Sequence, residues 1–96
     1  MEHNELFIDY YSNGQLWYKV NYVDGKRHGL YEAYNSNGSN LYEINYIHGK
    51  KHGLYRTYYS NNNNTNITSK YVNGKIDGLF MRYFSNGELR NKIYYL

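Results

Sequence analysis

Cysteine is missing from the 96 residues, which excludes disulfides and thiolate metal sites. Proline is missing too, while glycine appears nine times. No apolar run approaches the length that spans a bilayer. No stretch carries convincing helical periodicity, so no substantial helix is expected. The opening residues Met1-Glu2-His3-Asn4-Glu5 are polar and acidic, unlike a secretory leader. The excess of basic over acidic residues is small as well. A formal balance of +3 permits weak attraction to phosphate or acidic surfaces without requiring it.

What the chain has in abundance is tyrosine, 15 residues of it, and repetition. Aligned on Gly29, Gly53 and Gly78, the sequence repeats at spacings of 24 and 25. The same shift carries Gly25 onto Gly49 and Gly74, and Leu6 onto Leu30, Leu54 and Leu79. It also superposes Tyr10, Tyr34, Tyr58 and Tyr83, and Asn13, Asn37, Asn61 and Asn86. One domain, 1–96, is therefore expected to hold copies at about 5–28, 29–52, 53–77 and 78–96, the last incomplete.

Each copy reads as two strands and two turns. Leu30 to Asn35 is the first strand of the second copy. Ser-Asn-Gly follows it at Ser36-Asn37-Gly38, as at Ser12-Asn13-Gly14 and Ser85-Asn86-Gly87. Asn-Gly between alternating apolar residues is a strong hairpin signal, because both residues tolerate positive φ. In the second strands Tyr18, Val20 and Tyr22 share one face, as do Tyr42, Ile44 and Tyr46. Glycine turns then recur at Asp24-Gly25-Lys26, His48-Gly49-Lys50 and Asn73-Gly74-Lys75. A lone hairpin is marginal in water, so the copies are expected to stack edge to edge. Seven or eight antiparallel strands would run about 35 Å along the stack.

The third copy departs from this pattern. Asn61-Asn62-Asn63-Asn64-Thr65-Asn66 replaces its glycine turn with one residue more, and Ser69 stands where Val20 and Ile44 stand elsewhere. A longer, mobile loop and a locally weaker sheet are expected there.

The units Asp24-Gly25-Lys26-Arg27-His28-Gly29-Leu30-Tyr31, His48 to Tyr55 and Asn73 to Phe80 resemble the MORN repeat, in its variant subtype. The likeness runs from about Leu6 to Leu96. It implies an all-β fold, an elongated single-layer antiparallel β-solenoid of stacked hairpins. It also implies a scaffold, dimerisation module or membrane-associated platform. Bacterial variants are often labelled antitoxins, and such arrays are frequent in large DNA viruses. The third copy's turn departs from the pattern, and the last copy lacks its second Gly-Lys turn.

Three sets of residues are candidates for function. Phe7, Tyr31, Tyr55 and Phe80 lie opposite in parity to the leucines and define an aromatic face that a single layer cannot bury. Rigid apolar area with a polar tip suits protein recognition. Lys26, Arg27, Lys50, Lys51 and Lys75 fall at matching turn positions, giving a basic row able to attract anionic headgroups. The same lysines would also keep a sheet edge soluble. Ile93-Tyr94-Tyr95-Leu96 is an apolar strand whose open edge invites a second copy or a partner chain.

Chemistry of other kinds finds little footing. His28 and His52 share a repeat position about 10 Å apart if each copy adds two strands, too far for one ion. His3 and His48 fall elsewhere, so no metal site is expected. The six serines and eight carboxylates form no recurring catalytic set, and Gly-Lys in a hairpin lacks the helix of a phosphate loop. The expectation is a non-enzymatic interaction scaffold without cofactor, with peripheral membrane binding and antitoxin-like neutralisation as alternatives. Partners would be a protein or a second copy, an anionic membrane surface weakly, and not nucleic acid. The cytoplasm is the expected place, that of a host if the source is viral.

Overall fold

Paired left-handed residues fold the chain back on itself three times. In Asp24-Gly25, His48-Gly49 and Asn73-Gly74 both members have positive φ, 51° and 79°, 50° and 82°, 51° and 86°. That combination is the type I′ turn, whose twist matches that of the strands it joins. Glycine, asparagine and aspartate occupy such positions at little steric penalty.

The computed structural model describes residues 3–96. Ten strands follow in order: β1 Asn4–Tyr10, β2 Leu16–Val23, β3 Lys26–Arg27, β4 Gly29–Tyr34 and β5 Asn40–Ile47, then β6 Lys50–Tyr58, β7 Thr65–Val72, β8 Lys75–Ile76, β9 Gly78–Tyr83 and β10 Leu89–Tyr95. All pair antiparallel in one open sheet of order β1-β2-β4-β5-β6-β7-β9-β10, with β3 beside β2 and β8 beside β7. No helix occurs among the described residues. Apart from the short β3 and β8, chain neighbours are sheet neighbours, as hairpin units added one after another require.

A β-bulge recurs in all four hairpins. Asp9 faces Tyr18 but Tyr10 faces Leu16, so Trp17 is the extra residue. Leu41, Asn66 and Arg90 are the extra residues at the same point of the other three. A second irregularity falls at His28-Gly29: Tyr22 faces Arg27, yet Lys19 faces Glu32. Gly29, Gly53 and Gly78, with φ of 91°, 92° and 80°, belong to these interruptions within the strand and not to a reverse turn. Bulges sharpen local twist and bend the strand.

Backbone bonds also tie each copy to the next. Gly49 N donates to Arg27 O at 2.9 Å, and Gly74 N to Lys51 O at 2.8 Å. Tyr11 Oη donates to Tyr34 O at 2.7 Å, and Tyr59 Oη to Tyr83 O at 2.6 Å.

The slab measures 44 × 39 × 9 Å, nearly as broad as it is long. The elongated form expected from the sequence is thus a single, open antiparallel sheet of hairpins. One layer encloses little: among the described residues only Val20, Ala33, Tyr46 and Ser69 are buried, all on the same face. In the third copy, Tyr59 N reaches Asn64 O where Tyr11 N reaches Gln15 O, so the Asn-rich turn is one residue longer. Asn63, with φ of 62°, takes the left-handed place that Gly14, Gly38 and Gly87 hold elsewhere. The sheet continues past this turn, Tyr58 pairing with Thr65.

Candidate binding face

Opposed residues of an antiparallel pair point to the same side, so the register assigns every side chain to one of two faces. Phe7 faces Val20, Tyr31 faces Ile44, Tyr55 faces Ser69 and Phe80 faces Ile93. Phe7, Tyr31, Tyr55 and Phe80 therefore share the face of the buried residues, together with Tyr18, Tyr22, Tyr42, Tyr46 and Tyr71. Leu6, Leu30, Leu54 and Leu79 lie on the reverse, and the first three stay exposed.

On the tyrosine face, aromatic contacts join neighbouring strands. Phe7 and Tyr22 meet edge to face with centroids 5.0 Å apart, and Tyr55 and Tyr71 lie 5.4 Å apart. Tyr31 touches Tyr18, Tyr42 and Tyr46, at 6.1, 5.4 and 6.4 Å. Phe80 and Tyr95 stand 6.4 Å apart. Each copy thus sets its first-strand aromatic beside the last tyrosine of its own second strand, forming a two-ring clamp. Between the first two clamps lies a concavity of about 570 Å³ with Val20 in its lining, walled by Phe7, Tyr18, Tyr22 and Tyr31. Glu5 and Arg27 also line it.

The basic residues divide between the faces. Arg27 pairs with Tyr22 and Lys51 with Tyr46, which puts both on the tyrosine face. The Arg27 guanidinium carbon sits 5.0 Å from the Tyr31 centroid and 5.3 Å from that of Tyr46. Its Nη1 donates to Tyr46 Oη at 3.3 Å. The Lys51 ammonium is 4.9 Å from Tyr55 and 5.1 Å from Tyr71. Lys26, Lys50 and Lys75 pair with Val23, Ile47 and Val72, so they fall on the leucine face and are exposed. The continuous row expected from the sequence is two sets, because adjacent strand residues point opposite ways.

Tyrosine ionisation reports how closely the rings are covered. Burial raises the pKa of Tyr42, Tyr71 and Tyr34 above the ordinary phenol value. It raises that of Tyr58 too, aided by the hydrogen bond Tyr58 Oη donates to Glu43.

One sequence expectation about histidine changes. His48 does not stand apart: its ring lies 5.4 Å from that of His28, because each two-residue turn rests on the preceding copy's bulge. His52 Nδ1 accepts a bond from Asn73 N at 3.3 Å. No cluster of three metal-binding side chains occurs among the described residues. The strand Ile93-Tyr94-Tyr95 ends the sheet order, paired on one side only with β9, and its side chains are exposed.

Sequence reasoning missed the cation–ring contacts. Their signal was the basic residue four positions before the aromatic in the two middle copies, Arg27 before Tyr31 and Lys51 before Tyr55. No curated protein and no solved structure matches the chain. A family model described as MORN repeat variant matches residues 6–24, 27–48 and 76–96, more than half of the length. The unmatched interval contains the long Asn turn.

Proposed function

Because the chain belongs to the MORN repeat variant family, we propose that it is a non-enzymatic scaffold that binds a protein partner through its tyrosine face. MORN repeats are in general protein- and membrane-interaction modules. The observation that carries the reading is the open, aromatic-walled concavity on one side of a slab only 9 Å thick. No second layer among the described residues covers that face, and Arg27 and Lys51 reach over part of its rings. Aromatic residues on a rigid support give a partner large contact area with little ordering penalty. The exposed edge of β10 offers a further place for a second copy or an extended segment to pair.

A Tyr31→Ala, Tyr55→Ala double variant tests this, after circular dichroism has established that its sheet is intact. A cross-linked partner recovered with the wild type and lost with the variant, at low and high salt alike, supports the tyrosine face. Equal recovery removes it.

One arrangement favours a second reading, peripheral attachment to an anionic membrane. Lys26, Lys50 and Lys75 share a face with the exposed Leu6, Leu30 and Leu54. Cations beside protruding apolar groups suit headgroups, at about 1 kcal/mol per charge near the surface. Flotation with vesicles containing phosphatidylserine, for the wild type and a Lys26→Gln, Lys50→Gln, Lys75→Gln variant, separates the two readings. Headgroup attachment fades with salt, whereas aromatic docking persists.

A further inference from the structure

The four clamps of the tyrosine face are alike in rings and unlike in charge. In the second copy Arg27 reaches over Tyr31 and Tyr46, and in the third Lys51 reaches over Tyr55 and Tyr71, each cation about equally far from both rings. The chain thus fills its two middle clamps with its own cations. Over Phe7 and Tyr22 no cation of the described residues lies. His3 holds the position of Arg27 and Lys51 one copy earlier, but its Nε2 is turned to Glu5 Oε1 at 3.4 Å.

Glu5 is the second difference. By the repeat it stands where the other copies have Gly29, Gly53 and Gly78. It pairs with Tyr22, so its carboxylate rises on the tyrosine face beside the clamp, and it is half-exposed. The first copy therefore places a carboxylate beside its two rings, where the middle copies place a built-in cation over theirs. An aromatic pair with an adjacent anion attracts ammonium and guanidinium groups through the ring quadrupole and the opposite charge.

We propose that the Phe7–Tyr22 clamp, with Glu5 at its side, takes the cationic side chain of a lysine or arginine from a partner protein. The partner's side chain would occupy the place that Arg27 and Lys51 occupy in the next two clamps. Arg27 faces Tyr22 and lines the same concavity, but its guanidinium lies over Tyr31 and Tyr46 and donates to the Tyr46 hydroxyl, which leaves the Glu5 side of the Phe7–Tyr22 clamp for the guest cation. This rests on the tyrosine face being the binding surface and names the chemistry it selects.

The test is a titration of the full chain, followed by nuclear magnetic resonance, with acetyl-Gly-Arg-Gly-Arg-Gly-amide and its citrulline analogue, which keeps the shape without the charge. Saturable shifts at Glu5, Phe7 and Tyr22 with the arginine peptide, and binding at least about fivefold weaker for citrulline, are expected. Glu5→Gln, an exposed change that leaves the sheet intact, is expected to weaken the arginine peptide about fivefold. Phe7→Leu, checked by circular dichroism, is expected to weaken it at least as much. Equal binding of the two peptides, shifts confined to other residues, or an unaltered affinity in Glu5→Gln overturns the proposal. The outcomes stay separable: if the Tyr31→Ala, Tyr55→Ala variant loses its partner while the arginine peptide fails to bind, the face stands and the cation assignment falls.

Discussion

The Lys51 ammonium lies 4.9 Å from the centre of the Tyr55 ring. Its aliphatic stem reaches across from the start of β6, and Tyr71 receives the same charge from the neighbouring strand at 5.1 Å. The contact contributes to folding as well as to the electrostatics of the surface. Lys51→Met keeps most of the stem and removes the charge. It is expected to lower stability by about 0.5–1 kcal/mol in urea unfolding, with Lys51→Arg near wild type. A larger loss in Lys51→Arg than in Lys51→Met would deny the charge any part.

Ser69 is 8% exposed and its hydroxyl has no partner among the described residues. It occupies the place of Val20, Ile44 and Ile93 in the other copies. A buried hydroxyl without a partner is unfavourable, and a branched apolar side chain suits this site. Ser69→Val is expected to stabilise by about 1 kcal/mol, raising the melting temperature by about 4–8 °C for a domain of this size. A lower melting temperature would mean that the site is too tight for the added methyl groups.

At Asn63 the long turn requires a left-handed residue, φ 62°. Asparagine tolerates this conformation and glycine adopts it freely. Asn63→Gly keeps the conformation but loses the bond that Asn63 Oδ1 accepts from Asn40 N at 2.9 Å, so a loss of about 0.5–1 kcal/mol is expected. Asn63→Val loses the same bond and is expected to cost about 1–2 kcal/mol more. Denaturation midpoints that fail to separate the two variants would remove the conformational account.

Alkaline pH acts through the tyrosines. The folded state holds Tyr34, Tyr42, Tyr58 and Tyr71 protonated beyond the ordinary phenol range, with burial the first cause in each. In the unfolded chain these phenols ionise near pH 10, so above that pH unfolding releases protons. The stabilisation is whole below about pH 10 and is lost as pH rises through the folded values. Urea midpoints at pH 8, 10 and 11 are expected to fall only over the last interval, while absorbance at 295 nm follows the tyrosinate. A midpoint already falling between pH 8 and 9 would need a different group.

The hairpins were legible in the sequence because their determinants are local. Asn-Gly and Asp-Gly mark the turns, alternation marks the strands, and a 24- or 25-residue shift superposes the copies. The grouping of Phe7, Tyr31, Tyr55 and Phe80 on one face followed from parity alone. What escaped depends on pairing between copies. The bulges at Trp17, Leu41, Asn66 and Arg90 appear only when two strands are laid side by side. The split of Lys26 from Arg27, and of Lys50 from Lys51, required knowing that turn-flanking residues still obey strand alternation. The approach of His48 to His28 depends on how one turn settles against the preceding copy, which spacing along the chain does not encode.

A slab one strand thick has no middle layer, so shielding can come only from the left and the right. Val20, Ala33, Tyr46 and Ser69, the four buried among the described residues, sit on strands flanked by others on both sides. The flanks β1 and β10 are exposed along their whole length. Amide deuteration should therefore advance inward from both borders, slowest in β4 to β7, with fraying preceding the collapse of the centre.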